Sequence, residues 1–208
     1  MRLVAESFAW PFRAPASTWI LGILCVLLLP VLFIPLLGYA VAATRSAELD
    51  PRGPPPPWRI SARLLSAGAW TSLALALTAV PFLVLWSALS SIAGRNLYAQ
   101  VVVFFLLLFF WGVVALVVFP HATASFAATA ARHDLFDVRG AVRAVRRDLA
   151  TWNVVVAAIV TGWAIGIACV GLLCVGVLPG VFYAILVSAH AAAALHGPTS
   201  QGPGPSAQ

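Results

Sequence analysis

Few residues in this 208-residue sequence could do chemistry, and their spacing limits what that chemistry is. His190 is the histidine set deepest in an apolar run, where it could carry a proton or bind a metal. A neutral imidazole hydrogen-bonded to a neighbouring helix suits that setting better, because a charge inside hydrocarbon is costly. His196 follows six positions on, about 120° further round a helix, so the two do not share a metal. His121 and His133 lie beside a basic stretch with no partner at ligand spacing. Ser87, Ser90 and Ser91 gather at the end of an apolar run. Serine hydrolysis would require a histidine and a carboxylate to orient one of these hydroxyls, and no acid falls beside them. Cys25, Cys169 and Cys174 all sit in apolar segments, form no zinc spacing or disulfide framework, and read as small buried hydrophobes. No catalytic residue, metal ligand or cofactor site is expected.

The elements that must position these residues are apolar helices. Hydrophobic residues make up 62% of the chain and charged residues 9%, against about a quarter charged in a soluble domain. About 20 apolar residues cross a hydrocarbon core of roughly 30 Å. Four segments qualify as full spans: Ala67 to Ile92, Leu97 to Phe119, Trp152 to Leu173 and Val177 to Leu195. None of them contains Asp, Glu, Lys or Arg, which disfavours enzymes and ion-coupled carriers, since both usually need ionisable groups within the bilayer. The last two segments must fold back on each other. The turn is expected at Cys174 to Gly176, with Pro179 in the first turn of the returning helix, where its missing N–H costs little.

The first apolar segment, Trp19 to Ala43, carries Pro30 and Pro35 and is either a kinked span or a re-entrant hairpin. All twelve basic residues are arginine, and arginines in short loops stay cytoplasmic. The leader holds Arg2 and Arg13; the first loop Arg45, Arg52, Arg59 and Arg63; the second loop Arg95; the third Arg132, Arg139, Arg143, Arg146 and Arg147. A hairpin puts eleven of the twelve inside, and a full crossing at best nine. The expected fold is therefore an all-α, polytopic transmembrane bundle with four full spans and a re-entrant or kinked first segment, five spans being the alternative. Residues 1–196 form one membrane domain in the cell membrane, with loops 44–66 and 120–151 cytoplasmic, and the Gly/Pro/Ser-rich tail 197–208 is disordered. Ala40-Val41-Ala42 offers a signal-peptide cleavage pattern, but the leader and apolar run are too long for one.

Outside the spans, Met1 to Trp10 suits a short interfacial helix within a leader of residues 1–18. Pro51 to Pro57 suits polyproline II, with Trp58 at headgroup depth. Asp137 to Leu149 reads as an amphipathic helix capped by Asp137, with Val138, Val142, Val145 and Leu149 on one face and Arg139, Arg143 and Arg147 on another. These arginines are expected to contact anionic lipid headgroups. Their place in short loops between apolar runs excludes a nucleic-acid stripe. Small residues recur every fourth position at Ala158, Gly162 and Gly166, and again at Ala184, Ser188 and Ala192. Such ridges let helices approach closely, either within this chain or, as the alternative, across a homodimer seam.

Gly38-Tyr39 closes the first apolar segment, Arg45 follows, and Pro56-x-Trp58 precedes the next helix. In that order these residues resemble the domain-of-unknown-function family 4013 of small prokaryotic multi-pass membrane proteins. Its members carry a Gly-Tyr, an Arg and a Leu-Pro-x-Trp; here Pro55 stands in place of the Leu. The resemblance extends to about Leu195, implies a helical membrane protein, and brings no established activity. The expectation is thus an uncharacterised, non-enzymatic membrane scaffold, assembly or envelope component. The alternative is a permease-like subunit moving or sheltering an apolar or zwitterionic solute. The bilayer is the expected partner, with a second copy or another membrane protein left open.

Overall fold

The computed structural model describes residues 2–94, 96–169 and 176–196, and every regular element among them is helical. The α-helices are α1 (Arg2–Ala9), α2 (Ala16–Leu27), α3 (Leu29–Leu49), α4 (Ala62–Ala93), α5 (Leu97–Thr129), α6 (Val138–Arg147), α7 (Leu149–Ala168) and α8 (Val177–Ala193). Short 3-10 turns cover Trp10–Arg13 and Arg132–Phe136.

Among the described residues three helices are long and apolar enough to cross a membrane: Ala62–Ile92, Leu97–Thr129 and Leu149–Ala168. The all-α bundle is as expected, and three of the four expected spans are helices of full crossing length. The fourth candidate, α8, has 17 residues, about 25 Å of helix at 1.5 Å per residue, which is short of a roughly 30 Å core. It ends early because its last backbone bonds tighten to a three-residue step, Ala194 N to Ala191 O, Leu195 N to Ala192 O and His196 N to Ala193 O, ahead of Gly197 and Pro198. A fourth crossing exists only if the bent pair Leu3–Arg13 and Ala16–Leu27, which meet at 96°, is taken as one.

The first apolar segment is broken and doubles back. Leu28 (φ −97°, ψ 30°) and Leu32 (φ −101°, ψ 18°) leave helical geometry on either side of Pro30. Trp19 in α2 and Tyr39 in α3 both pack on the ring of Phe182, at 5.5 and 6.0 Å between centroids. In a straight helix those two residues would stand about 30 Å apart. Phe182 of α8 therefore sits between the two limbs, and Gly22 leaves room for it: a Cβ there would lie 2.3 Å from the ring.

Helix α5 runs ten residues past the expected end at Phe119, so residues 120–129 are helix and not loop. Pro120 lies inside α5, and a proline and histidine after an apolar run look like a stop. Tertiary packing overrides that signal, because Ala122, Ala124, Phe126 and Ala127 are all buried against the bundle. The Asn96 side chain caps the start at Ala99 N, and Ala130, in the left-handed region at φ 59°, ends the helix.

The basic helix stops at Arg147, and Leu149 begins α7 instead of closing the apolar face of α6. The cause is a second cap. Asp137 accepts from Gly140 N at 2.8 Å as expected, but Asp148 accepts from Thr151 N at 3.0 Å and starts a new helix. Helix α1 forms, yet Leu3 and Val4 pack on the cluster of Val155, Ala158, Ile159 and Ala191, so its apolar side covers α7 and α8. The end of the expected span at Leu173, the turn from Cys174 and the tail 197–208 fall outside the described residues.

Candidate functional site

The residues that carry the family resemblance converge. The Tyr39 ring stacks on Trp58, 4.2 Å between centroids with 3° between planes, and its hydroxyl donates to Pro56 O at 2.9 Å. Trp58 is thus fixed to α3. Gly38 lets α4 approach, since a Cβ there would lie 2.1 Å from Leu64 O, and Gly68 does the same for Ile34 O at 1.9 Å. These two contacts set α3 and α4 side by side and antiparallel.

Next to the stack lies a cavity of about 340 Å³, within the range of small-ligand pockets. Gly38, Tyr39 and Arg45 line it from α3, Arg59 from the segment before α4, Arg63 from the first turn of α4, and Arg132 from the turn after α5. Its apolar lining includes Val41, Leu64 and Phe126, all buried. Arg132 rests over the Trp70 ring, 4.8 Å from its centroid.

The sequence profile of the family described as Protein of unknown function (DUF4013) matches residues 21–179. The chain belongs to this family. No curated protein and no solved structure matches it. For this DUF4013 protein, the Tyr39–Trp58 stack and the arginine-lined cavity fall wholly inside the matched stretch.

A second constellation reaches beyond it. His190 is buried, and its two ring nitrogens are both engaged: Nδ1 lies 2.9 Å from Ser7 Oγ and Nε2 lies 3.1 Å from Pro51 O. A carbonyl can only accept, so Nε2 carries a proton, and burial favours the neutral ring, whose Nδ1 then accepts from the serine hydroxyl. Both ring nitrogens have partners. Trp10 packs 5.2 Å from its ring and donates from Nε1 to Gly53 O at 2.8 Å; Arg13 donates to Arg52 O at 2.8 Å, and Tyr183 to Phe8 O at 3.1 Å. Leader, first loop and the end of α8 are thereby fastened together.

The small-residue ridge of α7 meets α8 of the same chain. A Cβ on Gly166 would lie 2.6 Å from Gly180 O and 3.4 Å from that of Ala184, and one on Gly162 would lie 3.0 Å from Val187. Ala158 is fully buried near Ala191, and Ala192 is also buried. Ser188 donates back to Ala184 O at 2.7 Å. Gly180, whose backbone makes the closest approach, extends the Ala184, Ser188, Ala192 ridge by one four-residue step. On α6, Arg139, Arg143 and Arg147 are all exposed, and Ala141 is the buried residue.

The serines Ser87, Ser90 and Ser91 donate into their own helix, to Val84 O, Ser87 O and Ala88 O. One cluster escaped the sequence reading. His121 and His196 stack at 5.3 Å, and Ser125 Oγ lies 3.5 Å from the first and 3.2 Å from the second. The four-residue step from His121 to Ser125 was the readable part, and His196 comes from the turn after α8. Among the described residues no group of three metal-ligating side chains forms.

Two carboxylates outside the apolar spans depart from ordinary titration. Burial raises Glu48, partly offset by the charges of His196 and Arg45. Hydrogen bonds from the Thr151 side chain and backbone hold Asp148 below the ordinary carboxylate range.

Proposed function

We propose that the chain is a multi-pass integral membrane protein that works without catalysis, as a scaffold, assembly or envelope component. Its arginine-rich end lies in the cytoplasm against anionic headgroups. The observation that carries this is the fastening of leader, first loop and α8 through His190, with Arg13 beside Arg52. A first segment that doubles back places the leader and the first loop at one end of the molecule, together with their arginines, and arginine-rich short segments stay inside. The exposed Arg139, Arg143 and Arg147 on α6 add to the same basic surface. Family membership is compatible with this reading and adds no activity of its own.

A permease-like role would place a cavity among the middles of the long helices. The cavity described here sits where α4 begins, between Arg45, Arg59 and Arg63.

Single cysteines at Phe12 and Leu49, which are 73% and 79% exposed, test the arrangement in a background lacking Cys25, Cys169 and Cys174. Ser7 is unsuitable because it is buried against His190. A membrane-impermeant thiol reagent should miss both positions in intact cells, reach both after the membranes are opened, and label Ile92→Cys from outside. Labelling of position 12 in intact cells with position 49 protected would establish a full first crossing and refute the reading.

A further inference from the structure

Four arginines far apart in sequence, Arg45, Arg59, Arg63 and Arg132, line one cavity. Like charges gathered in this way repel, and the nearby acids do not compensate them. Among the described residues no arginine nitrogen lies within 4.0 Å of a carboxylate oxygen; the one ion pair is His133 with Asp134. Asp134 also accepts from the Thr129 hydroxyl, and Asp50 accepts from the backbone of Arg52. Glu48, one turn beyond Arg45 on α3, is partly buried and has its pKa raised by that burial.

Guanidinium groups match phosphate oxygens in planar, two-pronged pairs. The 32-residue helix α4 begins at the cavity wall, with Ser61 as its cap, so its positive end favours an anion there too. The apolar side of the cavity, formed by Val41, Leu64 and Phe126, would be wasted on a bare ion and suits a ligand that is part hydrocarbon. Cationic rim and apolar floor together describe an anionic amphiphile.

We propose that this cavity binds the phosphate-bearing headgroup of an anionic phospholipid, with Arg45, Arg59, Arg63 and Arg132 around the phosphate and the glycerol end against Val41, Leu64 and Phe126. The site is separate from the basic surface of α6, and it rests on the membrane reading above.

Binding is measured on the full chain purified in a neutral detergent, with dioctanoyl phosphatidylglycerol, dioctanoyl phosphatidylcholine and inorganic phosphate as probes. Phosphatidylglycerol should bind saturably and at least tenfold more tightly than phosphatidylcholine, and millimolar phosphate should not displace it. The pair Arg45→Gln with Arg63→Gln should weaken phosphatidylglycerol at least tenfold. The triple change Arg139→Gln, Arg143→Gln and Arg147→Gln should stay within twofold. If the glutamine pair fails to fold, Arg45→Lys with Arg63→Lys keeps the charge, and a threefold or greater loss at unchanged melting temperature supports the two-pronged contact. Unchanged binding in both cavity variants, or an equal loss in the α6 triple, overturns the proposal. Displacement of the lipid by phosphate overturns the lipid assignment in favour of a free anion. Alkaline carbonate extraction of the wild type reports on the membrane reading alone: release into the supernatant would sink that reading, whatever the binding constants.

Discussion

Two regions of the molecule are built on opposite terms. Around His190, polar groups from the leader, the first loop and α8 satisfy each other, and the aromatic residues Trp10, Tyr39 and Phe182 are almost completely buried. The α4–α5 hairpin turns outward. Only 6% of the most apolar window in each of its helices is buried, against 28% for α7, and Leu83, Val84, Phe105, Phe109 and Phe110 are exposed along it. What joins the two helices is sparse: Trp111 Nε1 donates to Thr78 O at 3.0 Å, and Phe82 meets Phe104 and Trp111 edge to face or tilted. Long apolar helices with so little cover need hydrocarbon or a partner around them. The fastened region supplies its own specificity, and the hairpin leaves its outer surface to the surroundings.

Glycine substitutions should separate the two regions most sharply. At Gly68 a single methyl group would sit 1.9 Å from the Ile34 carbonyl oxygen, and backbone cannot move aside as a side-chain tip can. Gly68→Ala should therefore cost at least the upper part of the roughly 1 to 3 kcal/mol typical of overpacking, and lower the melting temperature and folded yield in detergent. Gly112, on the exposed part of α5, has nothing within 4 Å. Gly112→Ala should leave melting unchanged or raise it, by up to about 1 kcal/mol of helix propensity. Equal losses at the two positions would erase the distinction.

A smaller effect is expected from the polar fastening. His190→Leu leaves the buried Ser7 hydroxyl without its partner, at about 1 to 3 kcal/mol, and removes the bond to the exposed Pro51 carbonyl. Limited proteolysis should then release the leader before the helices melt. Ser90→Ala in the hairpin, which removes an exposed bond within one helix, should change stability by less than about 0.5 kcal/mol. A leader as resistant in His190→Leu as in the wild type would show that the fastening contributes little.

The smallest effect concerns the cap between α6 and α7. Because hydrogen bonds lower the Asp148 pKa in the folded chain, its contribution is fully present above the unfolded value and fades as pH falls through the lower folded value. Acid titration followed by circular dichroism should show this loss only below the ordinary carboxylate range. Asp148→Asn keeps a capping oxygen and should remove that part of the pH dependence, whereas an unchanged titration would assign it elsewhere.

Local features of the sequence carried much of the fold. Hydropathy located α4, α5 and α7, Asp137 marked the start of α6, and Pro30 marked the break at which the first segment turns. The end of α5 was hidden because the signals after Phe119 are local, while the burial of Phe126 and Ala127 that overrides them is tertiary. The same limit applies to the sites. Arg45, Arg59, Arg63 and Arg132 could be counted by loop but not gathered, and the partners of His190 lie 183 and 139 positions away. Gly166 was legible as a close-approach residue, and Gly180 opposite it stands one four-residue step before Ala184, where the ridge was taken to begin.

The insertion of Phe182 between α2 and α3 sets a schedule for biogenesis. The first hairpin is made before α4, α5 and α7, yet the ring that fills it and the histidine that ties down its leader come about 140 residues later. Until α8 arrives, the inner faces of the hairpin at Trp19, Gly22 and Tyr39 lack the cover they have in the finished molecule. The hairpin therefore reaches its final packing only once α8 has been made.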